Sequence, residues 1–158
     1  MMDYLLLKAI HIISSTVLFG TGIGTAFQMW RAHRDGDVHA IAAVNRNVVI
    51  ADWLFTTPAV IVQPLTGWLL IRAAGFDSMA PWLIVTYLLY LLAGACWIPV
   101  VFIQLKLRDL AAVAAREGRA LDARYWRLYR AWFWLGWPAF GGLVIVFWLM
   151  VAKPSLWL

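Results

Sequence analysis

The chain predicts an all-α fold, a bundle of four transmembrane helices, and three observations carry that expectation. Of its 158 residues 64 % are hydrophobic and 13 % charged, where a soluble domain is about a quarter charged. Mean hydropathy is +0.78. The apolar residues collect in four runs, each able to supply the roughly 20 helical residues that cross a hydrocarbon core. Linkers between the runs are short, and no repeat or low-complexity segment interrupts them, so residues 1–158 read as a single membrane domain.

The first run, LLLKAIHIISSTVLFGTGIGTAF, predicts a helix over about residues 4–29. MMDYLLLKAI starts with an acid, the apolar stretch is too long and no small-residue cleavage site follows it, so a retained helix is expected and not a signal peptide. A second helix is expected over about 48–71, a third over about 82–105 and a fourth over about 132–151. Leu107, Leu110, Val113 and Ala114 continue the helical period after the third run, so that helix is expected to project past the membrane surface as far as Gly118. Pro58, Pro64, Pro99 and Pro138 lie inside the spans, where each frees a backbone carbonyl.

Eleven Trp residues are far above ordinary usage. Trp30, Trp53, Trp68, Trp82, Trp132, Trp134, Trp148 and Trp157 lie near predicted helix ends and read as an aromatic belt at headgroup level. Gly20 and Gly24 form a small-xxx-small pair, and with Gly94, Gly136, Gly141 and Gly142 they read as points of close helix packing. The single Cys, Cys96, offers neither a disulfide nor a thiolate metal site.

Thirteen Lys and Arg against eight Asp and Glu give a formal charge of +5. The cations bracket apolar spans and form no continuous stripe, which excludes a nucleic-acid partner and leaves the lipid bilayer as the environment. All but Lys8, Arg72 and Lys153 fall in the first and third linkers. By the positive-inside rule those linkers face the cytoplasm, giving an N-out, C-out protein.

An ionisable side chain inside a span costs about 2.5–3.5 kcal/mol on insertion scales, so His11 and Asp52 call for a reason. Lys8, His11, Ser15, Leu18 and Gly22 share one face of the first helix. That face suits a haem, with imidazole for the iron and Lys8, Arg72 and Lys153 as outer-side cations for the propionates; it equally suits a histidine hydrogen-bonded to a neighbouring helix. His33 and His39 fall in a polar linker and are expected to be solvated. Asp52, Thr56, Gln63 and Thr66 form a polar stripe that should face the interior, with Asp52 within reach of Arg46, Arg127 and Arg130 for an ion pair. Tyr87 and Tyr90 on the third helix and Arg130 before the fourth complete the expected polar interior.

The motifs KAIHII, DWLFTTPAVIVQPLTGWLL, YWRLYRAWF and LMVAKP resemble a bacterial family of small integral membrane proteins. More distantly, their order resembles the HemJ family of haem-containing protoporphyrinogen oxidases and the copper-resistance D (CopD-like) proteins. Lys8, His11, Pro58, Ala59, Gly67 and Trp68 are the positions that match. The resemblance implies haem b on His11, an oxidoreductase or electron-transfer role, and a homodimer or membrane redox partner. The HemJ family also carries a histidine and a lysine where this chain reads Ile84, Val85 and Thr86. With no second intramembrane histidine, a bis-histidine haem within one chain is excluded, which leaves five-coordinate haem, ligation by Met150, a site shared in a dimer, or no haem at all. The residues also accommodate a cofactor-free accessory or transport protein in which Asp52, Gln63 and Gln104 line a small polar cavity.

Overall fold

The computed structural model describes residues 2–156, and Trp157 lies outside them. Five α-helices form four long rods: α1 (Met2–Asp35), α2 (Val38–Ala51), α3 (Thr57–Ala74), α4 (Pro81–Arg116) and α5 (Ala123–Ala152). A π-helical turn, Asp52–Thr56, joins α2 and α3 into one rod. All four rods are long and apolar enough to cross a membrane. At 1.5 Å per residue the 34 residues of α1 extend about 51 Å, well beyond a hydrocarbon core of about 30 Å. The surplus projects on the side of the arginine-rich linkers. There α2 begins ten residues before the expected start of the second span, and α5 begins nine before that of the fourth.

The sequence explains these extensions locally. Gly36 takes the left-handed conformation, φ +77°, and ends α1 with its N–H on the Ala32 carbonyl. Asp37 then caps α2, accepting from the His39 N–H. Two residues thus turn the chain where a longer linker is expected. Asp122 caps α5 in the same way through the Tyr125 N–H.

The π turn has its cause in Pro58. A proline ring clashes with the carbonyl four residues back and brings no N–H to it, and widening one turn relieves both problems. The Thr57 N–H reaches the Asp52 carbonyl, five residues away.

Helix α4 packs on α5 and α2, while α1 packs on α3 and α2. At the linker-side end of the bundle, Met29, Ile41, Leu107, Ala111 and Tyr125 form one buried cluster. At the opposite end Ile71, Trp82, Leu83 and Leu149 form another. Trp82 and Trp132 are therefore core residues and not belt residues: each joins a cluster, whereas Trp30, Trp53, Trp68, Trp134 and Trp148 are exposed at the helix surface. The glycines also divide. A Cβ added at Gly20, Gly24, Gly94 or Gly141 would meet nothing within 4 Å, so these are not contact points. Close approach occurs instead at Gly22 against Phe140, Gly67 against His11 and Gly142 against Leu89.

Candidate functional site

Helices α1 and α3 meet around His11. Its Nδ1 lies 2.7 Å from the Thr66 hydroxyl oxygen, which is also 2.7 Å from the Val62 carbonyl. The hydroxyl carries one proton and the carbonyl can only accept, so the hydroxyl donates to Val62 and His11 donates from Nδ1. The opposite assignment would leave two oxygens 2.7 Å apart with no proton between them. In the neutral imidazole Nε2 then keeps its lone pair. Gln63 completes the contact, donating to the His11 carbonyl at 2.7 Å and to the Ser14 hydroxyl at 2.6 Å. Gly67 makes the approach possible: a Cβ there would stand 3.3 Å from His11 Cε1.

The three cations expected near His11 are placed differently from one another. Lys8 is exposed on α1, about 4.5 Å of helical rise beyond His11. Arg72 lies on α3 about 7.5 Å of rise beyond Gly67, its guanidinium 5.1 Å from the Trp68 ring centroid. These two bracket His11 from the terminal end of the bundle. Lys153 is held elsewhere, with its ammonium 4.9 Å from the Phe76 ring centroid. Met150 packs against the Ile71 and Trp82 cluster.

The polar stripe of the second rod is buried: Asp52, Thr56, Gln63 and Thr66 all face inwards. Asp52 is not paired with arginine. Among the described residues the ion pairs are Arg31–Asp35, Arg108–Asp109 and Arg119–Glu117, all exposed, and Arg46, Arg127 and Arg130 are exposed as well. The π turn holds Asp52 at 6 % exposure, inside the bundle, while those arginines lie on its exterior. Oδ1 accepts from the Thr56 hydroxyl at 2.9 Å, the Gln104 side chain lies beside the carboxyl group, and Oδ2 makes no hydrogen bond.

Tyr90 donates to the Val60 carbonyl at 2.6 Å. Val60 is four residues before Pro64, so its carbonyl is the one that Pro64 leaves without an N–H. Tyr87 and Arg130 are not interior residues. Tyr87 lies on an exposed face with its hydroxyl 3.4 Å from the Ser78 carbonyl, and Arg130 falls on the outer face of the first turns of α5.

A cavity of about 520 Å³ lies between α1, α4, α5 and the π turn. Its walls are apolar and aromatic, interrupted by Asp52, Thr56, Tyr90 and Gln104. His11 and Gln63 do not line it. The cavity and the His11 contact are thus separate sites.

A third polar group lies at the linker-side end of the bundle, and the sequence pattern did not suggest it. His33 is half-buried on the last turn of α1 and not solvated. Its Nδ1 donates to the Met29 carbonyl, and its Nε2 accepts from the Tyr125 hydroxyl at 2.8 Å. Asn45 donates to the Tyr125 oxygen at 2.8 Å and to the Ile41 carbonyl at 2.8 Å. Burial holds the His33 pKa below its ordinary value, partly offset by the Met29 carbonyl, and burial raises that of Tyr125. His39 is exposed.

Residues 5–154 match the family described as predicted integral membrane protein (DUF2269). The chain belongs to this family. Matching across nearly its whole length, and with four apolar rods, the DUF2269 chain is a multi-pass integral membrane protein. No curated protein and no solved structure matches it.

Proposed function

We propose that this DUF2269 protein is a haem b-binding membrane redox protein of the HemJ and CopD-like type, an oxidoreductase or electron-transfer component, with His11 as the iron ligand. The observation that supports the reading most is the hydrogen bond from His11 Nδ1 to Thr66. Metal-ligating histidines almost always donate their other ring N–H to a fixed acceptor, which sets the tautomer and aims the free nitrogen. Thr66 is fixed in turn by Val62, and Gly67 leaves the ring room. Lys8 and Arg72 are the cations on the two helices that frame His11, suited to carboxylates at the membrane surface; Lys153, engaged with Phe76, is the third. When bound there, haem supplies one-electron chemistry. The chain's part is to hold the ligand nitrogen free, orient it and meet the propionates.

The arginine asymmetry supports an N-out, C-out orientation in a bacterial inner membrane. The apolar outer face of α1, with Leu5, Leu6, Ile12 and Ile13 exposed, suits lipid, a second copy or a membrane redox partner.

A cofactor-free accessory or transport role draws on a different observation, the Asp52 cavity. That reading expects colourless protein with pH-dependent flux. The test is the visible absorption spectrum of detergent-purified protein, with and without His11→Gln.

A further inference from the structure

Asp52 and Trp97 lie on different rods yet line the same cavity, and each holds one buried polar atom without a partner. Asp52 Oδ2 is an acceptor and Trp97 Nε1–H a donor. Among the described residues these are the only buried side-chain nitrogen or oxygen atoms left unpaired. Buried polar groups in native proteins are normally hydrogen-bonded, and one without a partner calls for an explanation. Two such groups of opposite sense at one cavity call for a common one.

The cavity itself has the size and character of a ligand site. At about 520 Å³ it falls within the range of about 300–1,000 Å³ common for small-molecule pockets, apolar with a few polar groups. Phe19, Trp97, Phe133 and Phe140 supply ring faces. Gly94 contributes a wall without a side chain: a Cβ there would meet nothing within 4 Å. The α1 and α5 walls meet through side chains, with Phe19 edge-on to Phe140 and Phe147. Both rods are of membrane-spanning character, so a molecule arriving between them comes from the lipid phase.

We infer that this cavity binds a lipophilic ring compound carrying two oxygens, of the quinol class, with one hydroxyl donating to Asp52 Oδ2 and the other oxygen accepting from Trp97 Nε1–H. A hydrocarbon chain would fill the volume but leave both polar atoms unpaired. A simple long-chain alcohol offers one oxygen, whereas the unpaired groups belong to two rods. A ring with oxygens on opposite edges meets both and stacks on the aromatic walls. The site does not depend on haem, because His11 does not line it.

The experiment measures equilibrium binding to the full chain in nanodiscs, with decylubiquinol as probe and decylbenzene and hexadecanol as controls. Decylubiquinol is expected to bind at least tenfold more tightly than either control. Trp97→Phe keeps the ring and removes the N–H, and should weaken quinol binding roughly fivefold, the worth of one hydrogen bond; Asp52→Leu should do the same. Gly94→Leu should fill the cavity and abolish binding while thermal stability is held or raised. His11→Gln should leave quinol affinity unchanged, which separates this site from the haem reading. Equal affinity for decylbenzene would make the cavity a lipid acyl site, and equal affinity for hexadecanol would remove the two-oxygen requirement. Either result, or undiminished binding in a folded Gly94→Leu variant, overturns the inference.

Discussion

His33 Nε2 and the Tyr125 hydroxyl oxygen lie 2.8 Å apart although 92 residues separate them in the chain. The pair joins the end of α1 to the start of α5, and Asn45 ties α2 to the same oxygen. Both His33 ring nitrogens, the Tyr125 hydroxyl and the Asn45 amide N–H groups are used in one consistent pattern. The histidine is neutral with its proton on Nδ1, the tyrosine donates to the histidine, and the asparagine donates to the tyrosine. The triad closes the linker-side end of the bundle.

Removing the bridging hydroxyl should therefore cost stability. Tyr125→Phe leaves the His33 acceptor and one Asn45 donor without a partner, and the expected loss is about 1–3 kcal/mol. Thermal unfolding in detergent measures it. His39→Gln, at an exposed position, is the control expected to lie within about 0.5 kcal/mol of wild type.

The same triad gives a pH dependence with a defined sign. The His33 pKa in the folded protein lies below the ordinary value of 6.5, so the unfolded chain takes up a proton that the folded chain resists. The folded state is favoured above pH 6.5, loses stability as the pH falls below it, and the loss levels off below the folded pKa. His33→Gln should flatten this part of the acid limb in a series of melting curves between pH 5 and 8. An unchanged slope would show that His33 does not titrate between those states.

Asp52 responds to substitution according to what it touches. Since Oδ2 has no partner and the arginines stand outside, Asp52→Leu removes an unpaired polar atom, and the Thr56 hydroxyl can turn to the main-chain carbonyl of residue 52. We expect the leucine variant within about 1 kcal/mol of wild type. Asp52→Lys should lose about 2.5 kcal/mol or more, or fail to fold, because it places a cation in the bundle. Equal stability of the two would locate residue 52 in water.

Orientation follows from the linkers. A periplasm-dependent phosphatase fused after Leu158 should be active, since the termini lie opposite the arginine-rich linkers. Fluorescence from a cytoplasm-only reporter at that position would reverse the assignment.

The rods and the buried stripe of Asp52, Thr56, Gln63 and Thr66 are legible in the sequence because lipid leaves a polar stripe no other direction to face. Their full length is harder to read, because residues beyond the bilayer lose the apolar signal while staying helical. The segment HRDGD shows the point. Its polarity suggests a loop, yet Gly36 as a helix terminator and Asp37 as an N-cap mark a two-residue turn, and that turn keeps His33 on α1. Pro64 signals a freed carbonyl at Val60, but only the packing of α4 identifies Tyr90 as its donor. The π turn at Asp52–Thr56 is foreshadowed by Pro58. The tautomer of His11 and the unpaired atoms of Asp52 and Trp97 have no local signature, since each depends on atoms from two rods.

The central claim concerns the free nitrogen of His11, and one measurement tests it most directly: the visible absorption spectrum of purified wild-type protein beside folded His11→Gln. Glutamine keeps hydrogen-bonding capacity and approximate size and removes the imidazole. A Soret band in the wild type that is lost or shifted in the variant, with the amount of folded protein unchanged, is the expected result. A wild-type spectrum in the fully haem-loaded variant, or colourless wild-type protein after expression with ample haem, contradicts the account.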